Sequence, residues 1–275
     1  MRTAALPERV VVVSPHLDDA VLSLGAGIAH AARAGSKIRV VTVFANDPDS
    51  EAPTTDWDRE AGFSSAREAA TRRREEDALA CALVGAIPTW LPYTDDDHGG
   101  EPNLDRMRAR LDKEIADADA DAVLLPGYPL AHSDHALLAA SLLSAPPTAA
   151  RLGLYVEQPY AAWRHLGRGR RSWAAADLTL TTSLRNLGSM LLHTKRGRAL
   201  QTPTAVPAIR STIDGEPVWT ALSAERTDRR LKRRALQEYA SQFRGFGRHT
   251  RPVIALYERG WGGEGLAWIS TSERT

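Results

Sequence analysis

Two short clusters of histidine and aspartate are the residues in this sequence best suited to chemistry. Each follows an apolar run that predicts a buried strand, and each supplies side chains that bind metal ions or transfer protons. The members are His16, Asp18 and Asp19 after Val10–Val13, and His132, Asp134 and His135 after Ala122–Leu125. Because open α/β sheets build active sites at the carboxyl ends of their strands, the two clusters predict one shared site.

Structural roles are the alternative for each cluster. Asp18 or Asp19 could cap the helix that follows, since carboxylates accept hydrogen bonds from the free N–H groups of a first helical turn. A histidine near a helix start is often part of the core. The joint occurrence of acid, base and ligand residues after two strands favours a catalytic metal site over these roles.

The two clusters also resemble a known family. Pro15-His16-Leu17-Asp18-Asp19 together with His132-Ser133-Asp134-His135 is similar to the paired signature of the LmbE-like, or PIG-L, family of zinc-dependent N-acetylglucosaminyl deacetylases. Two weaker similarities are Arg73-Arg74-Glu75-Glu76 and the late run Lys232-Arg233-Arg234-Ala235-Leu236 with Ser241-Gln242. The resemblance covers most of the chain, from Val10 to Gln242.

A catalytic zinc takes about three protein ligands and keeps one position open. His16 and Asp19 lie within one turn of each other, and His135 can reach the same ion from the neighbouring strand end. Asp18 is then left as a general base for water that the ion activates. The resemblance implies the same assignment, with zinc as the expected metal and iron or cobalt as open alternatives.

His132 precedes His135 by one helical turn, so both can face the cleft. The resemblance implies that His132 faces the reacting carbonyl, where it would stabilise the oxyanion or protonate the leaving amine. Asp134 could orient the His132 ring through its second nitrogen, or it could cap the helix start.

Substrate recognition is assigned to two residues. The resemblance implies that Arg73 reaches sugar hydroxyls, although an exposed ion pair between Arg73 and Glu76 is an equal alternative. Asp95, in the run Asp95-Asp96-Asp97-His98, follows a predicted strand at the same edge and is expected to bind a pyranose. Core filling is the alternative for each tryptophan in the predicted loops, but a cluster of them at the mouth of the site would suit a bulky acceptor; these are Trp57, Trp163, Trp173 and Trp219. We therefore expect an N-acylated amino sugar on a larger aglycone, with a glycosylated peptide-antibiotic precursor as the first case to test.

The chain departs from the family pattern without losing a predicted ligand. The family's commonest residues differ at Leu17, Ala20 and Ser133. Members that act on mycothiol precursors carry a tyrosine at the position of Leu130, so this chain is not expected to use that substrate.

Alternating strand and helix patterns over the first half predict an α/β fold, Rossmann-like and three-layered, with a mostly parallel sheet. The predicted strands are Val10–Ser14, Lys37–Phe44, Pro88–Leu91, Ala122–Leu125 and Leu152–Val156. The predicted helices are Val21–Arg33, Ala66–Val84, Leu104–Ala118, Ala136–Leu143 and Thr227–Phe243. Residues 1–275 are expected to form one domain, with residues 161–223 as loops and small elements around the site. No glycine-rich phosphate loop follows the first strand, which argues against a dinucleotide-dependent oxidoreductase.

The amino-acid composition limits the classes of partner and the compartment that we expect. Lys and Arg number 35 against 34 Asp and Glu, giving a net charge of +1, so neither nucleic acid nor an anionic membrane is expected as a partner. The single cysteine, Cys81, excludes an internal disulfide and favours a reducing compartment. With no signal-like or membrane-length apolar segment, we expect a cytoplasmic protein; homo-oligomerisation stays open.

The sequence thus predicts a metal-dependent hydrolase that removes an N-acetyl or related acyl group from an amino sugar. Two alternatives stay open. One is hydrolysis of another small amide or carbamate, and the other is a non-catalytic, metal-containing sugar-binding module. Asp18 argues against the second, because a structural ion needs no additional carboxylate beside it.

Overall fold

The computed structural model describes residues 3–46, 53–94, 103–147, 150–165, 206–247 and 249–270. Its strands are β1 (Thr3–Ala4), β2 (Arg9–Ser14), β3 (Lys37–Thr42), β4 (Ala86–Trp90), β5 (Ala122–Tyr128), β6 (Arg151–Val156), β7 (Thr220–Leu222) and β8 (Gly265–Ile269). Its helices are α1 (Asp19–Arg33), α2 (Asp56–Glu60), α3 (Ala66–Val84), α4 (Leu104–Asp117), α5 (Ser133–Ser144), α6 (Tyr160–His165), α7 (Pro207–Arg210), α8 (Arg226–Glu238), α9 (Ala240–Phe246) and α10 (Thr250–Trp261).

The strands form one eight-stranded sheet in the order β1-β7-β8-β6-β5-β2-β3-β4. Strand β8 is antiparallel to its neighbours β6 and β7, and the other pairs are parallel. The predicted α/β class with a mostly parallel sheet is confirmed. The chain runs from β2 outward through β3 and β4, then returns to place β5 on the other side of β2. This reversal leaves a crevice at the carboxyl ends of β2 and β5, where ligands bind in such sheets.

Helices cover both faces of the sheet because its central strands are apolar on both sides. Val11, Val13 and Leu125 point into one core cluster, which includes side chains of α4 and α5. Val10 and Val12 point into the other cluster, with side chains of α1, α3 and α8. The period-two alternation along β2 therefore places the sheet between two helical layers.

The predicted elements of the first half are present with shifted ends. Helix α3 matches the prediction of Ala66–Val84, and Gly85 ends it in a left-handed conformation with φ 77°. Helix α5 begins three residues before the predicted Ala136, so His135 lies inside its first turn. No described helix is both long and apolar enough to cross a membrane.

Three further predictions concern a late helix, the tryptophans and residues 161–223. The single helix predicted over Thr227–Phe243 is wrong: it is interrupted at Tyr239, whose ψ of 52° is not helical, so α8 and α9 are separate. The loop placement of Trp57 and Trp163 is also wrong, because they lie in the short helices α2 and α6. Most of residues 161–223, including Trp173, lies outside the described residues.

Candidate active site

The loop after β2 is a tight turn that gathers three polar side chains. The Ser14 hydroxyl donates to the His16 carbonyl at 2.7 Å and accepts from the Ala20 backbone at 3.0 Å. The His16 backbone N–H donates to Asp19 Oδ2 at 2.9 Å. Asp18 has φ 137°, a conformation that costs a non-glycine residue about 1–3 kcal/mol and that is found at functional sites.

The loop after β5 delivers the second cluster. His132 is the N-cap of α5, and its Nδ1 accepts the Asp134 backbone N–H at 3.3 Å. The hydrogen of a neutral His132 ring therefore lies on Nε2, which makes that atom a donor. The capping alternatives for the aspartates do not hold, because the helix α5 cap is His132 and the Asp18 side chain makes no cap hydrogen bond.

Three donor atoms from the two loops form a nearly equilateral triangle. Asp19 Oδ2 lies 3.3 Å from His16 Nδ1 and 3.2 Å from His135 Nε2, and the two nitrogens are 3.3 Å apart. Donors about 2.05 Å from an ion at tetrahedral angles are about 3.3 Å from one another. The structure therefore brings together the three residues predicted as metal ligands, in an arrangement that fits a tetrahedral divalent ion.

The remaining ring nitrogen of His16 and that of His135 each contact a carboxylate. His16 Nε2 lies 2.9 Å from Asp134 Oδ2, and His135 Nδ1 lies 2.5 Å from Glu157 Oε2. This fits a metal centre, since ligating histidines donate their second N–H to a carboxylate that fixes tautomer and ring orientation. Asp134 lies 3.6 Å from His132 Nδ1, so it contacts His16 more closely than the ring we expected it to orient.

Glu157 was not predicted from the sequence. It is fully buried, and its second oxygen accepts the backbone N–H of Leu130 at 2.9 Å. Leu130 has φ 49° and belongs to the loop that carries His132. Glu157 thus holds both His135 and this loop. A signal was available, because a carboxylate directly after the predicted strand Leu152–Val156 must lie at the same sheet edge.

His132 lies close to the metal-ligand triangle as well. One ring nitrogen of His132 lies within 4.8 Å of a ring nitrogen of His16 and of His135. The three histidines are therefore an alternative donor set for a metal ion. Asp19 is closer, at 3.2–3.3 Å from both nitrogens. The geometry therefore fits a tetrahedral ion better with Asp19 as the third donor than with His132.

The carboxylates favour positive charge among the imidazoles. Burial opposes protonation of His135, but the charges of Asp19 and Glu157 raise its pKa to about 9. Burial similarly opposes charge on His16, yet contacts with Asp134 and Asp19 raise its pKa well above the usual range. Burial and the two neighbouring histidines lower the pKa of His132 to about 4. A field that stabilises imidazolium at the ligand positions also favours a divalent cation there.

Asp18 differs from the other carboxylates of the site. It is 3% exposed, and its Oδ2 is buried without a hydrogen-bond partner among the described residues. Burial, followed by the charge of Asp19, raises the Asp18 pKa well above its ordinary value. An unpartnered and proton-attracting oxygen suits a general base.

Arg73 is buried beside this site. Its Nη1 lies 2.7 Å from Asp58 Oδ1, and its guanidinium lies 5.4 Å from the Phe63 ring centroid. The alternative of an exposed Arg73–Glu76 ion pair is wrong, because both side chains are buried. Nε and Nη2 of Arg73 have no hydrogen-bond partner among the described residues. Asp95, the other predicted substrate residue, lies outside the described residues.

The two weaker motifs support the loop after β2. Glu76 accepts from the Ser241 hydroxyl at 2.7 Å and joins α3 to α9. Gln242 donates to the Leu17 carbonyl at 3.0 Å and accepts from the Trp57 indole at 3.3 Å. These residues position the loop that carries His16 and Asp19, which gives the late Ser-Gln pair a structural role.

A row of aromatic rings extends from His135. The ring centroids of His135 and Tyr160 are 5.2 Å apart, and those of Tyr160 and Trp163 are 6.0 Å apart. Phe246 continues the row, at 5.7 Å from Trp163 and 5.4 Å from Trp57. Apolar and aromatic surface therefore lies next to the polar cluster, as in many small-molecule sites.

Comparisons with known proteins gave a match to one family model and a set of solved structures with a similar fold. Residues 11–145 match the family model described as PIG-L: GlcNAc-PI de-N-acetylase. A search of curated protein sequences gave no match. Among solved structures, the A40926 pseudoaglycone deacetylase Dbv21 is similar with a TM-score of 0.68 and 24% identity, covering 95% of this chain and 96% of that one.

Two further structures share the fold. A zinc-inhibited form of the teicoplanin deacetylase Orf2 has a TM-score of 0.74 at 19% identity, covering 97% of this chain and 100% of that one. The N,N'-diacetylchitobiose deacetylase of Pyrococcus horikoshii has a TM-score of 0.50 at 17% identity, covering 96% and 84%. The matched segment contains both His/Asp clusters and the strands that carry them. The chain thus contains a PIG-L (LmbE-like) family domain.

Proposed function

We propose that this protein is a metal-dependent N-deacetylase that hydrolyses the amide of an N-acylated amino sugar. The observation that carries the proposal is the donor triangle of His16, Asp19 and His135. Beside it, a buried oxygen of Asp18 has no hydrogen-bond partner within the described ranges. The family match and the deacetylase structures with the same fold support it. The non-catalytic alternative gives no role to Asp18.

His16 and His135 would hold a divalent ion through Nδ1 and Nε2, and Asp19 through Oδ2. Such an ion supplies Lewis acidity, which polarises a carbonyl and lowers the pKa of water. Asp134 and Glu157 keep the two imidazoles in the tautomers that binding requires.

The remaining groups of the site perform the proton transfers and charge stabilisation. Asp18 accepts the proton of the water that attacks the amide carbon. His132 donates from Nε2 to the oxygen that becomes negative as the carbonyl turns tetrahedral. The proton held by Asp18 then passes to the amine, which leaves as the C–N bond breaks. Arg73 offers its free Nη2 and Nε to hydroxyl or carboxylate oxygens of the substrate.

The substrate is proposed from two observations. The row of Tyr160, Trp163, Phe246 and Trp57 can pack against an apolar or aromatic aglycone. Two of the proteins with the same fold are deacetylases of A40926 pseudoaglycone and of teicoplanin. A glycosylated peptide-antibiotic precursor is therefore the first acceptor to test.

The test is release of free amine and acetate from a panel of acylated compounds. The panel comprises aryl glycosides of N-acetylglucosamine, teicoplanin-type pseudoaglycones, simple acetanilides and aryl carbamates. Each is incubated with protein loaded with one equivalent of zinc, cobalt or manganese, because zinc inhibits the form of Orf2 described above. We expect turnover of the amino sugars that stops on chelation. Hydrolysis of anilides or carbamates alone would replace the proposal with a general amidase, and no turnover with any metal would reject it.

A further inference from the structure

A second concave site lies away from the His/Asp clusters, between helices α8 and α10. This basic groove encloses about 920 Å³ and includes apolar side chains such as Leu236 and Ile254. Its cationic residues are Arg226, Arg229, Lys232, Arg233, Arg251 and Arg259. It shares no residue with the proposed metal site.

The acidic residues of the basic groove are already engaged. Lys232 Nζ lies 2.5 Å from Glu258 and 2.6 Å from Glu264. Glu264 also accepts the backbone N–H groups of Ala26 and Gly27 in α1, at 2.9 and 2.6 Å. Six cations against two anions give the groove a formal charge of +4, whereas the whole chain carries +1.

None of the five arginines of the basic groove forms an ion pair with a carboxylate in the described part of the chain. The charge of Arg229 acts on Glu258, whose carboxylate is already bound to Lys232. Arg226, Arg229, Arg233 and Arg259 are exposed. Arg251 is half-buried, with its guanidinium 3.9 Å from the Phe243 ring centroid. Its Nε is buried and has no hydrogen-bond partner among the described residues. Such a donor is costly to leave unsatisfied, and an anionic oxygen would satisfy it.

The size of the basic groove indicates the class of ligand. Small-molecule sites enclose about 300–1,000 Å³, so this groove suits a compact molecule. Arginine guanidinium groups match phosphate oxygens in geometry as well as charge. The apolar side chains between the arginines suit an organic portion such as a base or ring.

We propose that the basic groove binds a small organic polyphosphate of nucleotide size. This site goes beyond the proposed deacetylase function, and its test reads binding, so either idea can fail without the other.

The experiment measures fluorescence anisotropy of pyrenetetrasulfonate, a fluorescent tetra-anion, titrated with the full-length protein in magnesium-free buffer at low salt. ATP and inorganic tripolyphosphate then serve as competitors. The test variant is Arg229→Gln with Arg233→Gln, which removes two groove charges. Arg230→Gln with Arg234→Gln is the matched control, because these exposed arginines lie on the same helix but do not line the groove.

We expect saturable binding that weakens at least about 10-fold in the groove variant and less than about 2-fold in the control. Displacement by ATP more than by tripolyphosphate would show that the nucleoside contributes, and equal displacement would assign recognition to the phosphate chain alone. Equal weakening in both variants would show that only general surface charge attracts the probe. That result would overturn the proposal, as would the absence of saturable binding or of displacement by either phosphate compound.

Discussion

At the scale of single residues, the proposed metal site depends on how two imidazole rings are oriented. His16 contacts Asp134 and His135 contacts Glu157, each through the ring nitrogen that faces away from the donor triangle. Their orientation depends on Asp134 and Glu157, whose contacts are set by backbone geometry in two loops. Neither the positive φ of Asp18 nor that of Leu130 can be derived from residue type alone.

The roles of the two adjacent aspartates can be separated by substitution. Asp18→Asn should keep the ion and lower turnover by at least about 10²-fold, since it removes a positioned base. Asp19→Asn should lose the ion, since it weakens a ligand oxygen. Metal content by plasma mass spectrometry, with turnover on the best panel substrate, checks both. The reverse pattern would exchange their assignments.

Glu157 provides a test of how His135, a proposed ligand, is held. Glu157→Gln should weaken metal affinity roughly 10–100-fold, because a neutral amide oxygen accepts the His135 N–H more weakly than a charged carboxylate does. Equilibrium dialysis against a competing chelator measures the affinity. Glu264→Gln is the control, since it alters an equally buried carboxylate in the basic groove. Equal losses in the two variants would indicate general destabilisation.

At the scale of elements, the spacing of apolar residues predicted that helices cover both faces of the sheet. The features that it missed depend on contacts between residues far apart in the sequence. The valines of β2 alternate between two cores, so their pattern fixes a strand covered on both faces. The interruption at Tyr239 was not predictable, because its hydroxyl donates to the buried Asp77 of α3, 162 positions away in the sequence. The antiparallel strand β8 was missed because its pairing with β6 also joins residues that are remote in the sequence.

The buried contacts of Lys232, which join α1, α8 and α10, should make stability depend on pH. Burial raises the pKa of Glu258 to about 7, although Lys232 opposes this, and the ordinary value is 4.5. A raised folded-state pKa means that the folded protein keeps a proton that the unfolded chain releases. Stability should therefore fall as pH rises from about 4.5 to about 7.

The Glu258→Gln variant cannot ionise at this position, so its free energy of unfolding should not show this fall. As pH rises through that window, the variant should become more stable relative to the wild type by at most about 1.4 kcal/mol per pH unit. Urea unfolding between pH 5 and pH 8 measures the difference in free energy of unfolding. Glu60→Gln, at an exposed position, is the control and should parallel the wild type. A Glu258→Gln difference that stays constant with pH would refute this interpretation.

At the scale of the whole molecule, net charge was a poor guide to local charge. The value of +1 correctly reflects the composition, yet it hides the +4 of the basic groove. The groove depends on the approach of α8 to α10, a contact that no sequence pattern revealed. The donor triangle was more predictable because its residues follow parallel strands, which bring their carboxyl ends together in any sheet of this kind.

The most direct test of the account is the X-ray absorption spectrum at the metal edge of protein loaded with one equivalent of cobalt or zinc. The donor triangle predicts two imidazole ligands and oxygen donors at about 2.0–2.2 Å, with the same spectrum in His132→Ala. Turnover in that variant should fall about 10²–10³-fold, since it loses an oxyanion donor. Three imidazole ligands in the wild type, with one lost in His132→Ala, would contradict the account.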